Sequence, residues 1–265
     1  MENNLWNYVQ SVKNQSPLVT NITNFVVMNN TANALLAVGA SPIMAHAKSE
    51  VKDMVSISNA LIINIGTLDE YWSASMLIAA EEAHRTGKTW ILDPVGAGAT
   101  DYRDEVLAEL LTFKPTIIRG NASEIIALAK ANETTTKGVD STIESDKAVA
   151  AAEYLVETFQ AIVCISGKTD IIIDGKNTYF VENGHPMMTK VTGLGCSASA
   201  IVGAFAAMAD NKTEATVAAM SLLGIAGELA EDISAGPGSL QVNILDKLYQ
   251  MTEKEFLYNI KVSKK

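Results

Sequence analysis

The sequence predicts an α/β fold, with a mostly parallel central sheet covered by helices on both faces. Three observations carry that expectation. Short apolar runs such as Ala60-Leu61-Ile62-Ile63-Asn64-Ile65 recur without polar alternation, which is how strands buried on both faces read. Segments of helical character separate them, the pattern of repeated βαβ units. The 265 residues are 48% hydrophobic but only 6% aromatic, a balance that suits small-residue helices packed closely on a sheet. A chain this long can bury roughly three quarters of its unfolded surface without disulfide staples. Residues 1–265 are therefore expected to form one domain.

The elements follow in order. An N-terminal helix precedes a first strand at Pro17 to Ile22. Val26 to Val38 is helical and stops at Gly39, where a helix end favours glycine. Pro42 to Ala45 forms a second strand, and Ser49 caps a helix through Ser58. Ala60 to Ile65 is the third strand, backed by a helix over 73–86. Thr89 to Leu92 is a strand ending at Asp93-Pro94 and a Gly-rich loop. Thr116 to Arg119 is another, leading into a helix near Asn121. A helix over 145–159 precedes a strand at Ala161 to Ser166. A hairpin follows, Asp170 to Ile173 and Thr178 to Val181, turned by Asp174-Gly175. Beyond residue 190 the chain reads as almost wholly helical, over 196–209, 213–234 and 240–251. The crossovers between parallel strands should be right-handed. Ligands in such sheets bind beyond the carboxyl ends of the strands, so the chemistry is sought there.

Composition narrows the function. Twenty basic against thirty acidic residues give a formal charge of −10. That argues against non-specific nucleic-acid binding, which draws its affinity from neutralising phosphates. No run approaches the roughly 20 apolar residues of a membrane span. The N-terminus lacks the basic start and apolar core of a signal peptide. Two cysteines, Cys164 and Cys196, are too few for a disulfide framework or a Cys-based zinc site. A cytoplasmic location is the expectation. His46, His84 and His185 show no metal-ligand spacing, and Cys164 lies within an apolar strand as a core thiol.

The strongest local motif is Val191-Thr192-Gly193-Leu194-Gly195-Cys196-Ser197-Ala198-Ser199-Ala200. A Gly-x-Gly turn opens directly into a helix of small residues. Unpaired N–H groups and the positive end of the helix dipole make that turn an anion site, suited to a transferring phosphoryl group. It lacks the Gly-Lys-Ser/Thr of a Walker A loop and follows the strands, unlike a Rossmann turn. A plain tight turn is the alternative. Cys196 at the helix N-terminus, a position that lowers a thiol's pKa, favours function.

The remaining motifs stay two-sided. Asp93, at a strand end in Asp93-Pro94-Val95-Gly96-Ala97-Gly98, is either the start of a turn or a group that holds a water of Mg²⁺. Asn121 and Glu124 in Arg119-Gly120-Asn121-Ala122-Ser123-Glu124 have capping-box spacing. They equally allow Glu124 near a metal and Arg119 against phosphates, where its fork suits bidentate contact. Ser166-Gly167-Lys168-Thr169 reads as a nucleotide contact or a turn, and Met44 with Met187-Met188 as packing.

Taken in order, these segments resemble the hydroxyethylthiazole kinases of the ribokinase-like superfamily. The residues that carry the likeness are Ile22-Thr23-Asn24, Thr31-Ala32-Asn33, Gly39 to Ala45, Asn64 to Leu68, Ile91 to Thr100, Arg119 to Glu124 and Thr192 to Cys196. The likeness spans nearly the whole chain, from Ser16 through Ser239. It implies a three-layer α/β/α sandwich, usually a homotrimer with active sites at subunit interfaces. It also implies ATP-dependent phosphorylation of the hydroxyl of 4-methyl-5-(2-hydroxyethyl)thiazole in thiamine salvage. By the same resemblance, Arg119 and Ser166 contact ATP, Met44 and Gly193 the thiazole, and Asp93 and Glu124 organise Mg²⁺.

Ribokinase-like enzymes generally carry an Asp after the Gly-x-Gly turn as catalytic base. Here Cys196 stands in that place, as in hydroxyethylthiazole kinases, which disfavours the pyrimidine kinase of the same pathway. The expected mechanism has the N–H groups of Gly193, Leu194, Gly195 and Cys196 bind charge on the γ-phosphoryl oxygens. Cys196 takes the hydroxyl proton or only positions the hydroxyl. A hydrate dehydratase on the same fold and a non-catalytic nucleotide or thiazole sensor are the alternatives.

Overall fold

The computed structural model describes residues 2–132 and 144–265. Its elements run α1 (Glu2–Gln15), β1 (Leu18–Ile22), α2 (Met28–Val38), β2 (Ser41–Ile43), α3 (Val51–Ile57), β3 (Ala60–Asn64), α4 (Glu70–Thr86), β4 (Thr89–Asp93), α5 (Asp101–Leu111), β5 (Ile117–Asn121) and α6 (Ala122–Asn132). They continue with α7 (Glu144–Phe159), β6 (Ile162–Ser166), β7 (Asp170–Ile173), β8 (Thr178–Val181), a 3₁₀ turn (Pro186–Lys190), α8 (Leu194–Ala207), α9 (Lys212–Glu231), α10 (Pro237–Gln250), α11 (Glu253–Asn259) and β9 (Val262–Lys264).

One sheet of nine strands orders them β2-β1-β3-β4-β5-β6-β7-β8-β9 among the described residues. The first six strands pair in parallel, with Val19 opposite Ala60, Ile62 opposite Ile91 and Ile118 opposite Val163. β7, β8 and β9 extend it antiparallel. Successive side chains of a strand face opposite sides, so an all-apolar strand feeds two cores. Ile62, Ile91, Ile117 and Cys164 pack beneath α1, α2, α8, α9, α10 and α11. Their neighbours Leu61, Ile63, Trp90, Leu92, Ile118 and Val163 face α3 to α7 on the other side. The result is the expected three-layer α/β/α sandwich.

The structure corrects several boundaries. The second helix begins at Met28 rather than Val26, because Val26-Val27 form a turn held by the Asn24 side chain. The second strand is Ser41–Ile43, a short edge strand paired only with β1. Ser49 caps nothing: α3 starts at Val51 after Glu50, with no side-chain cap bond. Asp69 instead caps α4 through the N–H groups of Tyr71 and Trp72, which moves that helix start ahead of 73. Gly39 does end α2, with φ 95 and its N–H bonded to the Leu36 carbonyl. Four elements were not anticipated, namely α5, the 3₁₀ turn, α11 and β9.

Candidate active site

Because β1 and β3 to β6 are parallel, their carboxyl ends come together, and the first turn of α8 is bonded across them. Arg119 on β5 donates from Nη1 to the Gly195 carbonyl at 2.9 Å. Ser199, three residues after Cys196 on α8, donates from Oγ to Asp93 Oδ2 at 2.8 Å. Asn24, beyond β1, donates from Nδ2 to Cys196 Sγ at 3.4 Å. Gly193 has φ 80, and a Cβ there would run into Val27 Cγ1, so this turn tolerates only glycine.

The first intrahelical bond of α8 is Ser197 N–H to the Gly193 carbonyl, at 2.9 Å. The N–H groups of Leu194, Gly195 and Cys196 precede it and have no helical carbonyl to bond. They form the positive end of a helix of 14 residues, an arrangement that can receive an anion.

A cleft of about 690 Å³ opens beside this turn. Arg119, Ser166, Leu194 and Gly195 lie on its wall with Lys168 and Asp170. The segment from Glu182 to Thr189 and the middle of α9 close its far side. Four of the five residues expected to contact the nucleotide thus share one opening. Gly193, Cys196, Asp93 and Glu124 do not line that wall. Met44 follows the edge strand β2 and is half-buried, with no hydrogen bond tying it to Cys196. Ser166 Oγ is turned onto the Gly120 carbonyl at 3.3 Å.

Asp93 is 1% exposed. Burial pushes its carboxyl up to about 6, and the nearby Glu124 charge adds to the rise. Arg119 and the hydrogen bonds from Ser199 and Asn64 oppose it. Glu124 completes the capping box: Oε2 accepts the Asn121 N–H at 2.8 Å, and Asn121 Oδ1 accepts the Glu124 N–H at 3.0 Å. Its second oxygen accepts the Gly96 N–H at 3.1 Å, joining the helix start to the loop after Asp93. Capping and proximity to Asp93 therefore coexist.

A buried carboxylate and a half-buried one that repel each other suit a divalent cation. Among the described residues no group of three or more acidic, His or Cys side chains could enclose one. That donor set fits Mg²⁺, which takes one or two carboxylates and completes its shell with waters and substrate phosphates.

The expectation of a lowered thiol pKa at Cys196 is corrected. Burial, then the Asp93 charge, push the thiol above its ordinary value, and hydrogen bonds from Asn24 and Asn64 with the Arg119 charge only partly offset them. Desolvation outweighs the helix terminus because the side chain is partly enclosed.

The structure also shows residues that motif reading passed over. Asn64 Nδ2 donates to Asp93 Oδ2 at 2.6 Å, and Asn24 Nδ2 to Asn64 Oδ1 at 2.8 Å. A polar residue closing an apolar strand, as Asn64 does, was a readable signal. Arg103 binds the carbonyls of Ile65 and Val95 through Nη1 and of Gly66 through Nη2, at 2.6, 2.8 and 3.0 Å. It locks the loop after β3 to the loop after β4, and nothing in its sequence context announces that.

Residues 9–254 match the model of the hydroxyethylthiazole kinase family. The chain is 53% identical to a hydroxyethylthiazole kinase of Syntrophus aciditrophicus over 260 residues, covering 98% of this chain and 96% of that one. It is 51% identical to one from Vibrio atlanticus, covering 96% of each. In three dimensions it is similar to a hydroxyethylthiazole kinase of Pyrococcus horikoshii, with TM-score 0.92 and 40% identity over 99% of both chains. A Staphylococcus aureus pyridoxal kinase shares the fold at TM-score 0.65 and 15% identity, covering 94% of this chain and 97% of that one.

Proposed function

The chain belongs to the hydroxyethylthiazole kinase family, and from that premise we propose how its site works. It uses ATP to phosphorylate the side-chain hydroxyl of 4-methyl-5-(2-hydroxyethyl)thiazole, the salvage step towards thiamine. The observation that carries the reading is the start of α8, Gly193 to Ser199, pinned by Arg119, Asn24 and Asp93 at the strand ends beside an open cleft.

ATP lies in the cleft, with its triphosphate toward Arg119, Ser166 and the N–H groups of Leu194 and Gly195. Phosphoryl transfer is chiefly positioning and charge stabilisation. The α8 amides receive charge growing on the transferred group, and being fixed in advance they need no reorganisation. Asp93 and Glu124 would hold Mg²⁺, which neutralises triphosphate charge when bound. Gly193 and Met44 border the acceptor, and Cys196 Sγ faces its hydroxyl. With its thiol pKa raised, Cys196 keeps its own proton and positions the hydroxyl, whose proton leaves late for a phosphoryl oxygen or solvent, as a loose transition state allows.

The apolar side chains of Phe25 and Val26, adjoining Asn24, are 60% and 63% exposed, and Leu36 and Ile57 are similarly bare. We assign this surface to a homotrimer whose interfaces complete the acceptor sites. Light scattering behind size-exclusion chromatography tests it, and an active monomer would sink it. No helix among the described residues is long and apolar enough to cross a membrane.

The functional test is ADP release from Mg-ATP with the thiazole alcohol, with the aminopyrimidine alcohol of the same pathway, and with no acceptor. ADP formed only with the thiazole supports the reading. ADP formed only with the pyrimidine moves the substrate. Ligand binding without ADP in any arm would favour a sensor.

A further inference from the structure

The hydrogen bonds behind Cys196 run in one direction, and the partners of each amide fix that direction. Gly66 N–H donates to Asn64 Oδ1 at 3.0 Å. A backbone N–H cannot accept, so Asn64 must present its oxygen there and its NH₂ to the Asp93 carboxylate. Val26 N–H likewise donates to Asn24 Oδ1 at 3.1 Å. Both Asn24 amide hydrogens are then left for the Asn64 oxygen at 2.8 Å and Cys196 Sγ at 3.4 Å. Two hydrogens meet two acceptors, and neither amide can flip without losing a bond.

Asn24 and Asn64 are buried, at 4% and 1% exposure, so water does not substitute for these partners. At the far end Ser199 Oγ gives Asp93 a second donor. Ser199 sits one turn beyond Cys196, on the same face of α8. The chain Cys196–Asn24–Asn64–Asp93–Ser199 thus leaves α8 at one residue and returns to it three residues later. A fixed donor on the sulfur forces the thiol hydrogen, or a lone pair, to face elsewhere.

We infer that Asn24 and Asn64 are positioning residues for the transfer: they hold Cys196 Sγ as a hydrogen-bond acceptor in a single orientation, so that its free side meets the acceptor hydroxyl. This rests on the kinase reading above. Asn24 and Asn64 act through Cys196, and therefore on turnover and not on substrate affinity.

The experiment compares Asn24→Ala with wild type by steady-state kinetics and by crystal structure. The expected result is a fall in kcat of about ten- to hundredfold, the scale of a misplaced reacting group. KM values for ATP and the thiazole alcohol stay within about twofold, and Sγ is displaced or spread over rotamers. In a Cys196→Ala background the same change should cost less than about twofold, because there is no sulfur left to orient. If Asn24→Ala fails to fold, Asn24→Asp replaces it, keeping the acceptor for Val26 N–H while losing both donors. Unchanged kcat, a loss carried wholly by KM, or an unmoved Sγ would overturn the inference. Silence of the wild type in the same assay would instead overturn the kinase reading, and the sulfur position alone would then decide this one.

Discussion

Arg119 Nη1 meets the Gly195 carbonyl at 2.9 Å, so a strand residue from the middle of the sheet holds the turn that opens α8. The side chain is 8% exposed, and its Nε has no protein partner. An unpaired buried donor of a cation beside a cleft is suited to a phosphate oxygen. Arg119→Ala should therefore act twice. It removes a charge-assisted bond to the Gly195 carbonyl, which keeps Ser199 Oγ as a donor at 3.4 Å, at a cost of about 1.5–3 kcal/mol, and removes a charge from the triphosphate. Urea unfolding should show the first effect, and a raised ATP KM with a lowered kcat the second. Arg119→Lys should recover stability better than turnover, since an ammonium cannot hold the carbonyl and a phosphate with one planar fork.

Gly193 supplies a conformation and a space together. Its φ of 80 is strained for other residues, and a Cβ would strike Val27. Gly193→Ala is expected to destabilise by about 2–4 kcal/mol and to depress kcat further by moving the amides of Leu194 and Gly195. Denaturant titration beside kinetics checks both. Full activity in a stable variant would show that the turn is not the anion site.

Asp170 gives a pH signature. It lines the cleft, accepts the Gly167 N–H at 2.9 Å, and is pushed up to about 6, chiefly by burial. A carboxyl whose folded pKa exceeds its unfolded value stabilises fully below the unfolded pKa, and that contribution is lost as pH rises through the folded one. Ionising it costs the native state about 3 kcal/mol at neutral pH. Asp170→Asn keeps an acceptor for Gly167 and escapes the cost. Its melting temperature should exceed wild type clearly at pH 7.5, by about half as much at pH 5, and hardly at all near pH 4.

The two thiols should react differently. Cys164 is fully buried, and its thiol is pushed up to about 12, first by burial and then by the Asp170 charge. Cys196 is only partly enclosed. Iodoacetamide on the native protein should label Cys196 alone and slowly, with Mg-ATP and the thiazole alcohol slowing it further. Labelling of Cys164 first would contradict the core assignment.

The sheet was legible where strands are apolar on both faces, because Ala60–Asn64 and Thr89–Asp93 feed two cores and leave no polar alternation to misread. The edges were less so. β9, Val262-Ser263-Lys264, is short and mostly polar, and it is a strand only because it pairs with β8. α5 was hidden behind the Gly-rich loop, its start set by Thr100 accepting the Arg103 N–H. α11 was readable in principle, since Thr252 and Glu255 form a capping box. At the site, position along the chain marked Cys196, Asp93 and Glu124, but could not reveal enclosure. Enclosure reverses the expected shift of the Cys196 thiol and sets that of Asp93. Asn24 and Asn64 acquire their roles only when β1 and β3 lie side by side, which no local pattern encodes.

The central claim is transfer of a phosphoryl group to the side-chain hydroxyl of the thiazole alcohol. Phosphorus NMR of the wild-type protein with Mg-ATP and that alcohol tests it most directly. A phosphate monoester resonance coupled to the side-chain methylene, growing in step with ADP, is the predicted result. ADP accompanied by free phosphate and no ester, or ATP left unchanged, would contradict it.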